Sequence, residues 1–182
     1  MKEKNKLFIP YVITLIGTIM MFLLLVLPFT TATDEYAERL DRFADTEVYK
    51  GLSLTCADVK NVSLVDYARI YVAVGENFWK NEYAGWIYAG LIAAIGLFSL
   101  IAVIKAIRKK PIGIIISTIF TVMTVAIFNW DLSARHVVQN ENYVWGVAHY
   151  YIIPIIIIVG SIWLFIKKRQ LNKDISNSPL QS

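Results

Sequence analysis

The chain has 182 residues, of which 57% are apolar and 18% charged, and its formal net charge is +4. Soluble domains average about 45–50% apolar and about 25% charged residues, so this composition excludes an ordinary soluble protein and predicts that many apolar side chains face lipid. A nucleic-acid-binding role is not expected either, because most of the basic residues flank long apolar runs instead of forming a separate basic patch.

The charges fall into two groups along the chain. Three short stretches that flank the apolar runs, residues 2–6, 105–110 and 167–174, hold 11 of the 18 basic residues and only two acidic ones, whereas the other connections hold seven basic and 12 acidic residues. Positive charge keeps short loops in the cytoplasm. We therefore predict a multi-pass protein of the plasma membrane whose N- and C-termini are both cytoplasmic.

Four apolar runs predict four transmembrane helices, and each is long enough for a bilayer core of roughly 30 Å. None contains Asp, Glu, Lys or Arg, and their bounds are 7–30, 84–104, 111–130 and 144–166. The first is longer than the apolar region of a signal peptide, so we interpret it as a retained anchor. The predicted fold class is an all-α four-transmembrane-helix bundle in one domain, residues 1–182, with a cytoplasmic tail at 167–182.

Details of these runs predict how the helices begin, bend and pack. Pro111 suits the first turn of a helix, and Pro154 predicts a kink in the fourth run. Small residues let membrane helices approach closely. At helical spacing they predict one seam on the second run and one on the third: Gly85, Ala89, Ala93 and Gly96, then Gly113, Ser117, Thr121 and Thr124.

Residues 31–83 predict a small extracytoplasmic subdomain with a possible short β-sheet, and residues 131–143 a second outer loop. Residues 34–43 have helical apolar spacing, residues 48–55 favour a strand, and the sequence Ser63-Leu64-Val65-Asp66 is typical of a capping box at a helix start. So few residues fold only against the bundle. The candidate partner-binding side chains are Tyr36, Leu40, Phe43, Tyr49, Leu52, Leu54, Tyr67 and Tyr71.

No group of residues predicts a reaction centre. Cys56 is the only cysteine and the chain has two histidines, whereas metal sites need several ligands placed close together. We therefore predict no catalytic residue, metal or cofactor, and expect that the protein is not an enzyme. A cavity among the outer halves of the helices is an alternative kind of site, with candidate lining residues Asn129, His149, Tyr150 and Pro154.

The layout of four spans, cytoplasmic ends, a first outer loop of about 50 residues and a shorter second one resembles the claudin and peripheral-myelin-protein superfamily. Residues 51–56, Gly-Leu-Ser-Leu-Thr-Cys, are similar to the Gly-Leu-Trp-x-x-Cys part of that family's first-loop signature. Ser53 replaces the tryptophan, and a second cysteine is missing. The resemblance implies a first loop folded as a small antiparallel sheet and a role in adhesion, sealing or partner binding.

These observations favour a non-enzymatic membrane protein that binds a protein or peptide partner through its extracytoplasmic loops, as an accessory subunit, an immunity-type protein or an adhesion-type protein. The alternative is a small transporter or channel component. A membrane enzyme with a lipid substrate is a third and weaker interpretation. The small-residue seams also leave self-association into a homo-oligomer open.

Overall fold

The computed structural model describes residues 2–48, 54–77, 82–134 and 141–176, which form six α-helices and three short β-strands. The helices are α1 (Lys2–Leu23), α2 (Asp34–Asp41), α3 (Leu64–Asn77), α4 (Glu82–Ile107), α5 (Pro111–Ala134) and α6 (His149–Ser176). The strands are β1 (Pro28–Ala32), β2 (Asn61–Ser63) and β3 (Tyr143–Trp145). Helices α1, α4, α5 and α6 pack into a bundle. The strands, α2 and α3 form a compact unit at one end, which we call the cap.

Three bundle helices are long and apolar enough to cross a membrane: Gly85–Ile107, Pro111–Ala134 and His149–Lys173. Their outer faces expose large apolar side chains, such as Ile87, Ile112 and Ile155, which are 64%, 58% and 60% exposed. Rows of such side chains are stable only against lipid. The chain is therefore a membrane protein, and the helix beginning at Pro111 starts where the sequence predicted.

The first apolar run does not remain helical to Thr30. Helix α1 ends at Leu23, and the chain from Pro28 onward forms β1. Proline lacks the N–H that a helix interior needs, and it disfavours helical backbone in the preceding residue. The prediction of one helix over 7–30 was thus wrong at its C-terminal end, and the apolar helical part, Leu7–Leu23, is shorter than the other three.

The three strands join the first outer loop to the second. β1 lies in the middle and pairs antiparallel with β2 on one side and β3 on the other. Thr30 is opposite both Val62 and Trp145. The sequence analysis assigned most of β1 and β3 to spans one and four, because both strands continue apolar runs. The fourth span begins only after β3, with α6 at His149.

Most of the predicted strand over 48–55 lies outside the described residues. At its two ends, Glu47 pairs antiparallel with Thr55, and the Val48 N–H donates to the Leu54 carbonyl at 2.9 Å. Residues 49–53, which include the candidates Tyr49 and Leu52, lie outside the described part of the chain.

Both predicted cap helices form. The helix expected over 34–43 is α2, and the Thr33 hydroxyl accepts from the Tyr36 N–H at 3.4 Å at its start. The capping box before α3 is present in both directions. The Asp66 N–H donates to Ser63 Oγ at 3.2 Å, and the Ser63 N–H and hydroxyl donate to Asp66 Oδ2 at 3.1 and 2.6 Å.

The turn between α4 and α5 closes with a lysine in a left-handed backbone conformation. Lys109 has φ 53°, its N–H donates to the Ala106 carbonyl at 2.9 Å, and the Lys110 N–H donates to the Lys105 carbonyl at 2.9 Å. This pair of bonds is the Schellman motif, whose left-handed position usually holds glycine. The Lys109 ammonium lies 4.7 Å from the centre of the Tyr11 ring, so a lysine here connects the turn to α1.

Small residues bring the helices together, as expected, although not at every predicted position. Ser117 and Thr121 are buried on α5, whereas Ala93 is exposed on α4 and does not belong to a seam. A Cβ on Gly17 would lie 2.7 Å from Ile157 Cγ1, and one on Gly160 would lie 2.9 Å from Thr14 Oγ1. Helices α1 and α6 therefore cross at two glycines.

Gly85 sets the distance between α3 and α4. A Cβ there would lie 2.5 Å from the Tyr71 carbonyl oxygen and 2.9 Å from Val72 Cα, whereas a Cβ on Gly90 of the same helix would meet nothing within 4 Å. Gly85→Ala should lower the free energy of unfolding by about 1–3 kcal/mol through overpacking. Gly90→Ala should be neutral or raise it by up to about 1 kcal/mol. Thermal unfolding in detergent measures both, and equal stabilities would contradict the close approach.

Two substitutions at Lys109 separate backbone strain from the side-chain contact. Both Lys109→Gly and Lys109→Ala remove the ammonium from the Tyr11 ring, but only glycine adopts positive φ without strain. The glycine variant should therefore be more stable than the alanine variant by about 1 kcal/mol. The measurement is again thermal unfolding, and an alanine variant as stable as the glycine variant would contradict the left-handed assignment.

Candidate functional site

The fold collects opposite charges at the two ends of the bundle. At one end the Lys168 ammonium donates to the Lys109 carbonyl at 3.4 Å, and Lys109 contacts Tyr11, so the α4–α5 turn lies beside the end of α6 and the start of α1. We call this the basic end. The cap occupies the opposite end, since it follows α1 and precedes α4 and α6 in the chain. The two charge groups seen in the sequence are thus separated in space.

The cap and the bundle share one aromatic core centred on Phe29 of β1. The Phe29 side chain has no exposed surface, and its ring meets four others edge-on. The centroid distances are 6.0 Å to Tyr67 of α3, 5.9 Å to Phe128 of α5, 6.0 Å to Trp145 of β3 and 5.0 Å to Tyr150 of α6. Because this core draws on both units, the cap is held directly on the membrane helices.

Two tyrosine hydroxyls in this core form hydrogen bonds with residues that follow α1. The Tyr67 hydroxyl and the Thr30 hydroxyl are 2.7 Å apart, and the Tyr150 hydroxyl donates to the Leu24 carbonyl. Burial raises the pKa of Tyr67 well above its usual range, and the bond to Thr30 opposes this shift only in part. The Tyr67 side chain is therefore neutral at physiological pH, and its buried hydroxyl is paired with Thr30.

Asp131 is a buried carboxylate that the sequence analysis placed in the second outer loop. Helix α5 continues past it to Ala134, and Asp131 is only 7% exposed. The Tyr71 hydroxyl of α3 donates to Asp131 Oδ2 at 2.9 Å. The sequence did indicate that α5 extends past Asp131, because Leu132 lies four residues after Phe128 and so continues the apolar face of the helix.

The candidate partner-binding residues divide between core and surface. Four of them are buried and so cannot contact a partner in this conformation: Leu40, Leu54, Tyr67 and Tyr71, which are 8%, 4%, 3% and 2% exposed. Tyr36 is half-buried, and its ring lies 5.4 Å from that of Tyr143. Phe43 is 64% exposed. Of the described candidates, Phe43 alone is fully available on the surface.

The candidate cavity residues have different surroundings. His149 is exposed at the first position of α6, with Nδ1 3.2 Å from the Gly146 carbonyl oxygen. Tyr150 and Pro154 are buried, and Asn129 is half-buried. The hydroxyl of Tyr150 already donates to a backbone carbonyl. The structure therefore places His149 at the surface of the cap end and Tyr150 in the shared core.

The exposed face of α2 and the turn after it is strongly acidic. Residues 34–47 contain six carboxylates and two arginines, and all six carboxylates are exposed. Arg39 pairs with Glu35, and Lys60 pairs with Asp41. Phe43 belongs to the same stretch of sequence and is 64% exposed, so the stretch presents an aromatic ring as well as carboxylates. We call residues 34–47 the acidic face.

Comparison with known proteins identifies no relative, since no family model, curated protein or solved structure matches the chain. The claudin-type kinship stays a prediction. Across residues 2–48, 54–77, 82–134 and 141–176, no three His, Cys, Asp or Glu side chains form a group that could hold a metal ion.

The Tyr71–Asp131 bond should stabilise the attachment of α3 to α5. Hydrogen bonds to charged groups contribute about 1.5–3 kcal/mol, so we expect Tyr71→Phe to lower the free energy of unfolding by roughly that amount. In an Asp131→Asn background, Tyr71→Phe should lower the free energy of unfolding by a smaller amount. Tyr36→Phe is the control, because no hydrogen bond of the Tyr36 hydroxyl is found among the described residues. We expect it to change the free energy of unfolding by no more than about 0.5 kcal/mol. Denaturant unfolding of the unaltered protein, the two single variants and the double variant measures the coupling energy between Tyr71 and Asp131. Strictly additive effects of the two substitutions would exclude the hydrogen bond.

Proposed function

We propose that the chain is a four-span protein of the plasma membrane whose cap faces outward and binds a basic protein or peptide through the acidic face. The observation that carries this proposal is that residues 34–47 expose both the ring of Phe43 and six carboxylates. They belong to a unit whose interior is joined to the membrane helices by the core around Phe29. Preorganised surfaces lose little conformational freedom on binding. Aromatic anchors surrounded by charged side chains are typical of binding surfaces.

The position of α1 supports a fourth span. Tyr11 of α1 contacts Lys109 at the basic end, and the Leu24 carbonyl after α1 accepts from Tyr150 at the cap end. Thr14 and Thr18 are fully buried against the bundle, and the opposite face exposes Phe8, Ile9 and Ile16 by 62%, 56% and 55%. A helix that runs from one end of the bundle to the other with such a face fits a lipid-exposed span.

The charge distribution supports an outward cap. The basic end contains the α4–α5 turn and the end of α6, and three lysines lie among residues 2–6. Positive charge favours the cytoplasmic side. This orientation places residues 28–77 and 141–148 outside the cell, where a soluble partner can reach them, and it is the orientation in which an accessory, immunity-type or adhesion-type role would operate.

Topology reporters test the orientation directly. A reporter that is active only in the cytoplasm should be active when fused after Lys110 and after Lys173, and inactive when inserted beside Lys60. The physical reason is that an even number of spans returns the C-terminus to the side of the N-terminus. A reporter that is inactive after Lys173 but active after Lys110 would contradict the four-span arrangement.

Site-specific photo-cross-linking in native membranes tests the partner. A cross-linking amino acid at position 43 should give a discrete adduct with another protein, whereas the same group at Val65, which is 42% exposed on α3, should not. Asp45→Asn should weaken the adduct and added salt should weaken it further, because exposed charges are screened. Glu141→Gln removes one exposed carboxylate elsewhere on the cap and should have no effect.

Two outcomes would contradict the proposed binding surface. One is an identical pattern of adducts from positions 43 and 65, which would mean that the contacts are not specific to the acidic face. The other is an adduct only with a second copy of the chain, which would make the face a homo-oligomer contact. Neither outcome would change the conclusion drawn from the topology reporters.

A small transporter or channel component is the second candidate, and one observation favours it. The hydroxyls of Thr118 in α5 and Ser161 in α6 are buried and have no hydrogen-bond partner among the described residues. Both helices pack against each other inside the bundle, and buried polar groups without partners are unusual away from functional sites. Solute flux into liposomes that is lost in a Thr118→Val, Ser161→Ala variant would support transport, and a pure binding protein should show no flux.

A further inference from the structure

A groove at the basic end lies between the α4–α5 turn and the last turns of α6. Its volume is about 460 Å³, within the range of roughly 300–1,000 Å³ that is usual for sites of small organic ligands. Its walls combine two chemistries. Ile112 and Phe165 supply apolar surface, and Lys105, Lys110, Lys168 and Arg169 supply positive charge.

The charged residues that line the groove, among those that the structure describes, are all basic. The ion pairs Arg39–Glu35 and Lys60–Asp41 lie in the cap, at the other end of the bundle. Four cations close together repel one another, so an anion between them would relieve this repulsion.

The N-terminus of α5 adds to the positive potential of the groove, and two contacts hold lysine side chains beside it. Helix α5 begins at Pro111 on the wall of the groove, and the N-terminus of a helix carries about half a positive charge. The Lys168 ammonium is held against the Lys109 carbonyl at 3.4 Å. The aliphatic stem of Lys105 lies over Gly113, where a Cβ would come within 3.1 Å of Lys105 Cδ. Lys105 and Lys168 are thus held beside the groove by contacts within the bundle.

We propose that this groove binds an anionic phospholipid, with the phosphate among Lys110, Lys168 and Arg169 and an acyl chain along Ile112 and Phe165. A phosphate accepts several charge-assisted hydrogen bonds from lysine and arginine. Basic pockets between membrane helices on the cytoplasmic side are suited to such head groups. The apolar wall favours a lipid over a free phosphate, because a phospholipid contacts the cations with its head group and Ile112 and Phe165 with its acyl chain at the same time.

This site is independent of the cap and its partner. It requires only that α4, α5 and α6 cross a bilayer, as their length and composition indicate. Its effect would be to anchor the α4–α5 turn and the end of α6 to one lipid molecule at the leaflet that contains the basic end. The lipid-binding result and the cross-linking result at Phe43 can therefore fail separately.

Native mass spectrometry of the full chain in a neutral detergent tests the proposal. The probes are palmitoyl-oleoyl phosphatidylglycerol, the zwitterionic phosphatidylcholine with the same acyl chains, and glycerol 3-phosphate. We expect phosphatidylglycerol to bind at least about tenfold more tightly than phosphatidylcholine, since basic residues near the membrane surface attract anionic head groups. Glycerol 3-phosphate should neither bind detectably nor compete at equal concentration.

Matched variants locate the binding. Lys110→Gln with Arg169→Gln removes two groove cations and should reduce phosphatidylglycerol binding about tenfold. Lys167→Gln with Lys173→Gln removes the same charge from residues of α6 that do not line the groove, and should change binding less than twofold. Phe165→Ala keeps every charge and should weaken phosphatidylglycerol binding several-fold through the loss of the apolar wall.

Three results would overturn the proposal. Equal affinity of the unaltered protein for phosphatidylglycerol and phosphatidylcholine would exclude recognition of charge, and this comparison needs no variant. Equal losses of phosphatidylglycerol affinity in the two double variants would show that binding depends only on the net charge of this end of the protein and not on the groove. Effective competition by glycerol 3-phosphate, with no effect of Phe165→Ala, would make the groove a site for soluble phosphate compounds and not for a lipid.

Discussion

The burial of Phe29 is the interaction on which the rest of the structure depends. Its ring lies six residues after the end of α1 and contacts α3, α5, α6 and β3. Burying one such side chain is worth about 1.5–3 kcal/mol. It also fixes β1 at the middle of the sheet, so the backbone groups of β1 pair on both edges with strands from two different loops. The capping of α3 and the buried Asp131 then complete a unit whose described buried apolar side chains form one cluster with those of the bundle.

Much of the architecture could be predicted from local signals. Three apolar spans, the start of α5 at Pro111 and the helices that became α2 and α3 follow from apolar length, proline chemistry and capping residues. The strands β1 and β3 could not be predicted in the same way, because residues 28–32 and 143–145 prolong apolar runs. Pro28 indicates that a helix ends there, but it does not indicate that a paired strand begins. The pairing of β1 with β3 depends on contacts between residues more than 100 positions apart.

The candidate site was predicted less well than the fold, for a physical reason. Apolar periodicity identifies the face of a helix that is buried, but it does not tell whether that face meets the protein's own core or a partner. Leu40, Tyr67 and Tyr71 were chosen as binding residues on that periodicity, and they pack inside the cap. Exposed charge gives a more direct indication, since carboxylates and lysines remain at the surface, and it distinguishes the acidic face at one end from the lysine-lined groove at the other.

The early end of α1 has a consequence for the surrounding lipid. The apolar part of α1 has 17 residues, which at 1.5 Å per residue is about 26 Å, less than the roughly 30 Å of a typical hydrocarbon core. Its three neighbours have 23 to 25 residues. A spanning α1 therefore creates hydrophobic mismatch on one side of the protein only. Thinning of the bilayer beside α1 would give the molecule a preference for thinner membrane regions and a tilt toward that side.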